Sequence, residues 1–240
     1  MTQKPLQDKV VLITGASQGV GEAVSLAYAE AGATVILVGR HQRKLEAVYD
    51  KIMAAGGPEP YAITFDLLPA QEKEFNQLAE AIFQATQRLD GVVHCASYFY
   101  ALSPLSNQTI DEWMNQYRIN TVAPMALSRA VLPLLQRSED ASVIFVGESH
   151  GDDPKAYWGG FGASKAGVNY LGMVAADEWS GKGNIRVNVL VPGQINSPQR
   201  LKTHPGEAAH ERKDLADITP AFVYWMSSES KGKTGEIVKL

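Results

Sequence analysis

Two hydrophobic periods take turns along the whole chain, and that alternation leaves few folds open. Short β-branched runs stand at Val10–Thr14, Thr34–Val38, Tyr61–Phe65, Gly91–Cys95, Ser142–Val146 and Ile185–Val191, with a weak one at Glu236–Val238. Between them, apolar residues recur at helical spacing in Gly21–Ala31, Arg43–Ala55, Gln71–Thr86, Ile110–Gln136 and Tyr157–Ser180. Strand then helix, repeated, is the pattern of right-handed βαβ units. The strands are near-continuous apolar runs, as a sheet covered by helices on both faces requires. The expected fold is α/β: a doubly wound, Rossmann-like arrangement with a seven-stranded, mainly parallel sheet. Gly56-Gly57-Pro58 stops a helix, and no linker or charge block divides residues 1–240, which read as a single domain. The polar, aperiodic stretch 197–217, with Pro198, His204, Pro205 and Gly206, reads as a loop over the strand ends. Ligands of such folds bind there.

Charge and cysteine usage remove several function classes. Lys and Arg number 22 against 26 Asp and Glu, a formal charge of −4, and no stretch concentrates the basic residues. Nucleic-acid binding through phosphate contacts is not expected. Cys95 is the single cysteine, so no internal disulfide or cysteine zinc site forms, and no metal site is expected. The polar stretch Met1–Asp8 lacks a secretory apolar region, and the longest uncharged run, Gly91–Ile110, carries His94, Ser97, Asn107 and Gln108. The expectation is a cytoplasmic protein without membrane spans. A nucleophile-elbow hydrolase is not expected either.

The first strand runs into Thr14-Gly15-Ala16-Ser17-Gln18-Gly19-Val20-Gly21 and then a helix. Glycines at 15, 19 and 21 let the backbone turn sharply, approach a pyrophosphate and pack helix on strand, while the helix N-terminus faces the anion. A lone glycine triplet is weak evidence; the flanking strand, helix and second strand make it strong. The second strand ends Val38-Gly39-Arg40-His41, with Arg43 and Lys44 following and no carboxylate before Glu46. An acidic residue there would bind a ribose 2′-hydroxyl, whereas a cation accommodates a 2′-phosphate, so NADP(H) is favoured over NAD(H). The competing reading makes Arg40 a solvated helix-start residue. Asp66 stands after the third strand to accept from an adenine amino group or to cap the next helix.

Beyond this turn the chain resembles the short-chain dehydrogenase/reductase family over essentially its whole length. Asn120, in Arg118-Ile119-Asn120-Thr121, matches the family's helix asparagine; Lys165, in Gly162-Ala163-Ser164-Lys165-Ala166, matches the lysine of its Tyr-x-x-x-Lys motif. Pro192-Gly193-Gln194-Ile195 follows the sixth strand as in the family. Ala156-Tyr157-Trp158-Gly159 and Lys233-Thr234-Gly235 look most similar to the YciK-type bacterial oxidoreductases. The resemblance implies hydride exchange between NADP(H) and a small carbonyl or alcohol. In that scheme a tyrosine passes the proton, the lysine lowers its pKa, a serine holds the substrate oxygen and the asparagine organises a water relay. It further implies cofactor contacts from Leu67, Cys95, Ala96, Lys165, Pro192, Gly193 and Ile195, and a homodimer or homotetramer built on the two long helices. Trp113, Met114, Tyr170, Met173 and Trp179 point to the same assembly, because a covering helix needs only one apolar stripe.

The match breaks where the chemistry should be. Four residues before Lys165 stands Phe161, which has no ionisable group, and at the serine position stands Glu148, with Ser149 beside it. Tyr157 shares a helical face with Phe161 and Lys165 if the helix already runs there. Glu148 is expected either to pair with Lys165 or to turn to solvent and leave Ser149 near the nicotinamide. His94 and His150 are further proton-transfer candidates, set against an ordinary hydrogen-bonded histidine. Two functions therefore compete: an NADP(H)-dependent oxidoreductase with a non-standard proton donor, and a catalytically impaired NADP(H)-binding protein acting as sensor, scaffold or partner subunit.

Overall fold

The computed structural model describes residues 4–240, so the first three residues of the polar stretch Met1–Asp8 lie outside it. The alternating periods become strand β1 (Val10–Thr14), helix α1 (Gly19–Glu30), β2 (Thr34–Gly39), α2 (Gln42–Ala54), β3 (Tyr61–Thr64), α3 (Glu72–Thr86) and β4 (Gly91–His94). The second half adds α4 (Ile110–Tyr117), α5 (Ala123–Leu135), β5 (Ala141–Val146), α6 (Gly159–Trp179), β6 (Ile185–Val191), α7 (Arg200–Thr203), α8 (Leu215–Met226) and β7 (Ile237–Lys239). The strands form one sheet in the order β3-β2-β1-β4-β5-β6-β7. Every pairing is parallel, including the weak last strand against β6, where a mainly parallel sheet was expected.

Strand alternation divides the core between the two faces. Val10 and Leu12 face one way and pack with Phe75, Ile82, Leu127, Val131 and Val168, from α3, α5 and α6. Val11 and Ile13 face the other way and pack with Val24, Tyr28, Leu45, Ile52 and Phe222, from α1, α2 and α8. From β1 the chain winds out to β3 and then crosses back to β4, so the winding reverses between β1 and β4. Helices on opposite faces leave a crevice outside the carboxyl ends of these two strands.

Three expectations change. The helix expected over 110–136 is interrupted by a π-helical turn at Arg118–Val122, which holds Asn120. The helix expected from Tyr157 starts at Gly159, because Tyr157 has φ 76° and cannot extend it N-terminally. The stretch 197–217 is not a bare loop. It contains α7 and the start of α8, and Ile195 bridges to Lys213. Buried Glu207 locks it, accepting from Arg200 Nε at 2.9 Å and from Arg212 Nε at 3.0 Å. No helix among the described residues is long and apolar enough to cross a membrane.

Candidate active site

A cleft of about 420 Å³ opens along the carboxyl ends of the strands, where the winding reverses. Its first wall is the glycine turn: Gly15, Ser17, Gln18, Gly19, Val20 and Gly21 all line it. Gly15 has φ 67°, and a Cβ there would sit 2.8 Å from the Ala96 backbone; one on Gly21 would sit 2.2 Å from the Gly15 carbonyl oxygen. The turn thus brings β1, β4 and α1 closer than side chains permit. Gln18 is the N-cap residue of α1 but provides no side-chain cap, its amide oxygen instead accepting from Lys44 Nζ at 3.0 Å. The positive end of α1 is left facing the cleft. A Cβ on Gly19 would meet nothing nearer than Pro198 at 3.5 Å, so the space before this helix end is open. Thr14 does not line the cleft; its hydroxyl accepts the Ala96 N–H at 3.2 Å and ties β1 to the end of β4.

Gly15-Ala16-Ser17-Gln18-Gly19 does spell the G-x-S-x-G of a nucleophile elbow, so the hydrolase reading cannot be dismissed for want of that motif. It falls on geometry instead: among the described residues no histidine hydrogen-bonds Ser17.

Arg40, His41 and Lys44 line the end of the cleft over β2, and among the described residues no carboxylate pairs with Arg40. Asp66 and Leu67 line it beyond β3. Asp66 accepts from the Leu68 N–H at 3.0 Å in a local turn, and it is Gln71 and Glu74 that cap α3. Cys95 and Ala96 line the middle, and burial pushes the Cys95 thiol up to about 12. Pro192, Gly193 and Ile195 close the side over β6.

At the far end, Glu148 and Lys165 both line the cleft, while Ser149, Tyr157 and Phe161 do not. Lys165 is 3% exposed and donates from Nζ to the Val146 carbonyl at 3.0 Å. Burial pushes it down to about 8, against the upward pull of the Glu148 and Cys95 charges. Glu148 makes no ion pair with it: Oε1 accepts the Ser149 N–H at 3.0 Å and the Ser149 hydroxyl at 2.8 Å. Phe161 is buried, edge-on to Phe99 at 5.3 Å, with Trp158 at 5.8 Å. Tyr157 is 55% exposed and lies outside the helix, so it shares no helical face with Lys165. Asn120 is buried and its amide is committed to Tyr98 and Ser164. His94 is buried against Phe145, bonds Ser128 Oγ at 2.8 Å, and is pushed down to about 3 by burial, which makes it a neutral core residue. His150 instead lies tilted against the Trp158 ring, and Trp158 tilted against His204.

Sequence reasoning gave Ser97 and Tyr98, which also line the cleft, no role there; Gln199, Arg200, Lys202 and Thr203 line it from the stretch 197–217 expected over the strand ends, without having been named one by one. The available signal was the Pro-Gly turn after the sixth strand, which aims the following segment back across the strand ends.

The pattern of short chain dehydrogenases matches residues 9–208. The chain belongs to this family. The short-chain relatives include the uncharacterized oxidoreductase YciK of Escherichia coli K12, 36% identical over 233 residues, 97% of this chain and 92% of that one. A short chain dehydrogenase of Shigella flexneri in complex with NADP has the same fold, with a TM-score of 0.95, 36% identity and 99% of each chain covered. One from E. coli CFT073 in complex with NADPH gives a TM-score of 0.95 and 36% identity, covering 100% of this chain and 99% of that one.

Proposed function

We propose that this short-chain dehydrogenase is an NADP(H)-dependent oxidoreductase acting on a small molecule. The observation that carries this reading is the α1 end without a side-chain cap opening into the cleft, with Arg40 after β2, which no carboxylate among the described residues pairs, and Lys44 at the start of α2. The α1 terminus and the glycine turn would hold the pyrophosphate, and Arg40 would face the 2′-phosphate. Asp66 would accept from the adenine amino group, while Cys95, Ala96, Gly193 and Ile195 would flank the nicotinamide half. Bound NADPH supplies a hydride. Lys165 presents a cation at the reacting end, and Glu148 an anion held by Ser149. The complexes of the Shigella and E. coli relatives with NADP and NADPH support the same cofactor.

We place the protein in the cytoplasm, where the free Cys95 thiol stays reduced, and as a homo-oligomer. Calorimetric titration tests the cofactor: NADPH should bind more tightly than NADH by about 1–3 kcal/mol, the scale of a charge-assisted contact. Equal affinities, or a preference for NADH, would overturn it.

A further inference from the structure

The reacting end of the cleft holds a fixed carboxylate and lacks a phenol. Glu148 Oε1 is pinned by two hydrogen bonds from Ser149, at 3.0 Å and 2.8 Å, and among the described residues Oε2 has no hydrogen-bond partner. One helical turn before Lys165 stands the Phe161 ring, packed among Phe99 and Trp158.

Resting on the NADP(H) reading above, we propose that the substrate couple at this site is an amine and its iminium ion, rather than an alcohol and its carbonyl. Hydride addition to a carbonyl builds negative charge on oxygen and needs a proton, and a fixed anion such as Glu148 opposes that charge. Hydride addition to an iminium ion discharges a cation and needs no proton. A hydride bonds to the iminium carbon, and the C=N π pair becomes the nitrogen lone pair. The substrate's positive charge passes to the oxidised nicotinamide, and the amine takes a proton from water only after release. In the reverse direction the Glu148 carboxylate stabilises the cation as it forms. Lys165 offsets the carboxylate only in part: its ammonium donates to the Val146 carbonyl and forms no ion pair with Glu148.

The test uses NADPH, the permanently charged N-methyl dihydroisoquinolinium ion as the iminium probe, and tetralone as a ketone of matched shape. NADPH oxidation should proceed with the iminium ion and not with tetralone. Glu148→Gln keeps the acceptor for Ser149 and removes the charge, so it should lower kcat/KM for the iminium ion about tenfold or more. Binding of the non-reducible N,N-dimethyl tetrahydroisoquinolinium ion, followed by calorimetry with NADP⁺ present, should weaken by a similar factor. Comparable turnover of tetralone would overturn the proposal, as would iminium turnover and mimic binding that ignore Glu148→Gln. NADPH bound without iminium reduction or mimic binding would overturn this inference alone; failure to bind NADPH would overturn the nucleotide reading with it.

Discussion

The Lys165 ammonium lies 5.9 Å from the centroid of the Phe161 ring, one turn further along α6. A hydroxyl on that ring would lie in the field of the cation, which favours the phenolate. Phe161→Tyr should therefore create or raise NADPH-dependent carbonyl reduction, within the roughly 10²–10⁴-fold that general acid–base catalysis supplies. Adding Glu148→Ser should raise it further, because the carboxylate no longer offsets the lysine. Steady-state rates over a panel of aldehydes and ketones check this. A Phe161→Tyr variant that binds NADPH and stays inert toward every carbonyl would show that the ring position does not face the reacting atoms.

The Arg200, Glu207 and Arg212 lock predicts how the strap over the cleft comes loose. Glu207 is held down at about 2, chiefly by its hydrogen bond from Arg200. Its folded pKa lies below the usual carboxylate value, so the strap is fully held above about pH 4.5 and is released as the pH falls toward 2. Glu207→Gln leaves two guanidinium groups buried beside a neutral amide, and breaking a buried pair costs about 3–5 kcal/mol. Because the strap lies at the surface, much of that cost should appear as local opening. Hydrogen exchange at neutral pH should show residues 197–213 losing protection while β5 and β6 keep theirs.

The sheet was legible because its five inner strands are apolar, β-branched runs buried on both faces, unlike the mostly exposed edge strands β3 and β7. Other features had no sequence signature. The π-helical turn at Arg118–Val122 shifts the helical period by about one residue over a single turn, too little for periodicity to register. Tyr157 takes a left-handed conformation that non-glycine residues rarely adopt. Helix α8 was hidden by Pro220, which deprives the Ala216 carbonyl of its helical partner; the Thr219 hydroxyl replaces it, donating at 3.1 Å. The place of the glycine turn in the cleft could be read because the close backbone approach at Gly15 and Gly21 is what glycine spacing records. The reacting end could not, because Glu148 depends on which way a side chain turns.

Asn120 grips the backbone of Tyr98 at both its groups: Oδ1 accepts the Tyr98 N–H at 2.7 Å and Nδ2 donates to the Tyr98 carbonyl at 2.9 Å. Its remaining hydrogen bond reaches Ser164 Oγ at 2.9 Å. In this arrangement the side chain clamps the loop after β4 to the π-helical turn. Asn120→Ala should cost about 1–3 kcal/mol through the buried groups it leaves unpaired, read by urea denaturation. A loss within about 0.5 kcal/mol, the range of ordinary surface changes, would show that the clamp is not formed in solution.

Of the residues first read as an interface, Met114 is 62% and Tyr170 75% exposed, and Ile110 beside them is 81% exposed. Trp113 is instead engaged by Gln108, and Met173 and Trp179 pack on the core. The proposed homo-oligomer then rests on Ile110, Met114 and Tyr170. Light scattering should give a multiple of the 26.0 kDa chain, and Tyr170→Glu with Ile110→Asp should shift it toward the monomer, since a charge buried in an apolar contact is costly. A wild-type monomer at micromolar concentration would refute the assembly.

Lys165 makes folding stability depend on pH in a defined window. Burial lowers its folded pKa to about 8, against 10.5 for the free side chain. Between these values the unfolded chain holds a proton that the folded chain has released, so stability rises with pH across the window. Below about pH 8 the folded chain carries the whole penalty of the buried ammonium. Lys165→Met removes that penalty, and its stability advantage over the wild type should be largest near neutral pH and shrink toward about pH 10. Urea denaturation at both pH values gives the difference directly, and an advantage that does not change with pH would show that Lys165 is not buried. In Glu148→Gln the charge that holds the lysine pKa up is gone, so the window should open at lower pH. An unmoved window would show that Glu148 does not face Lys165.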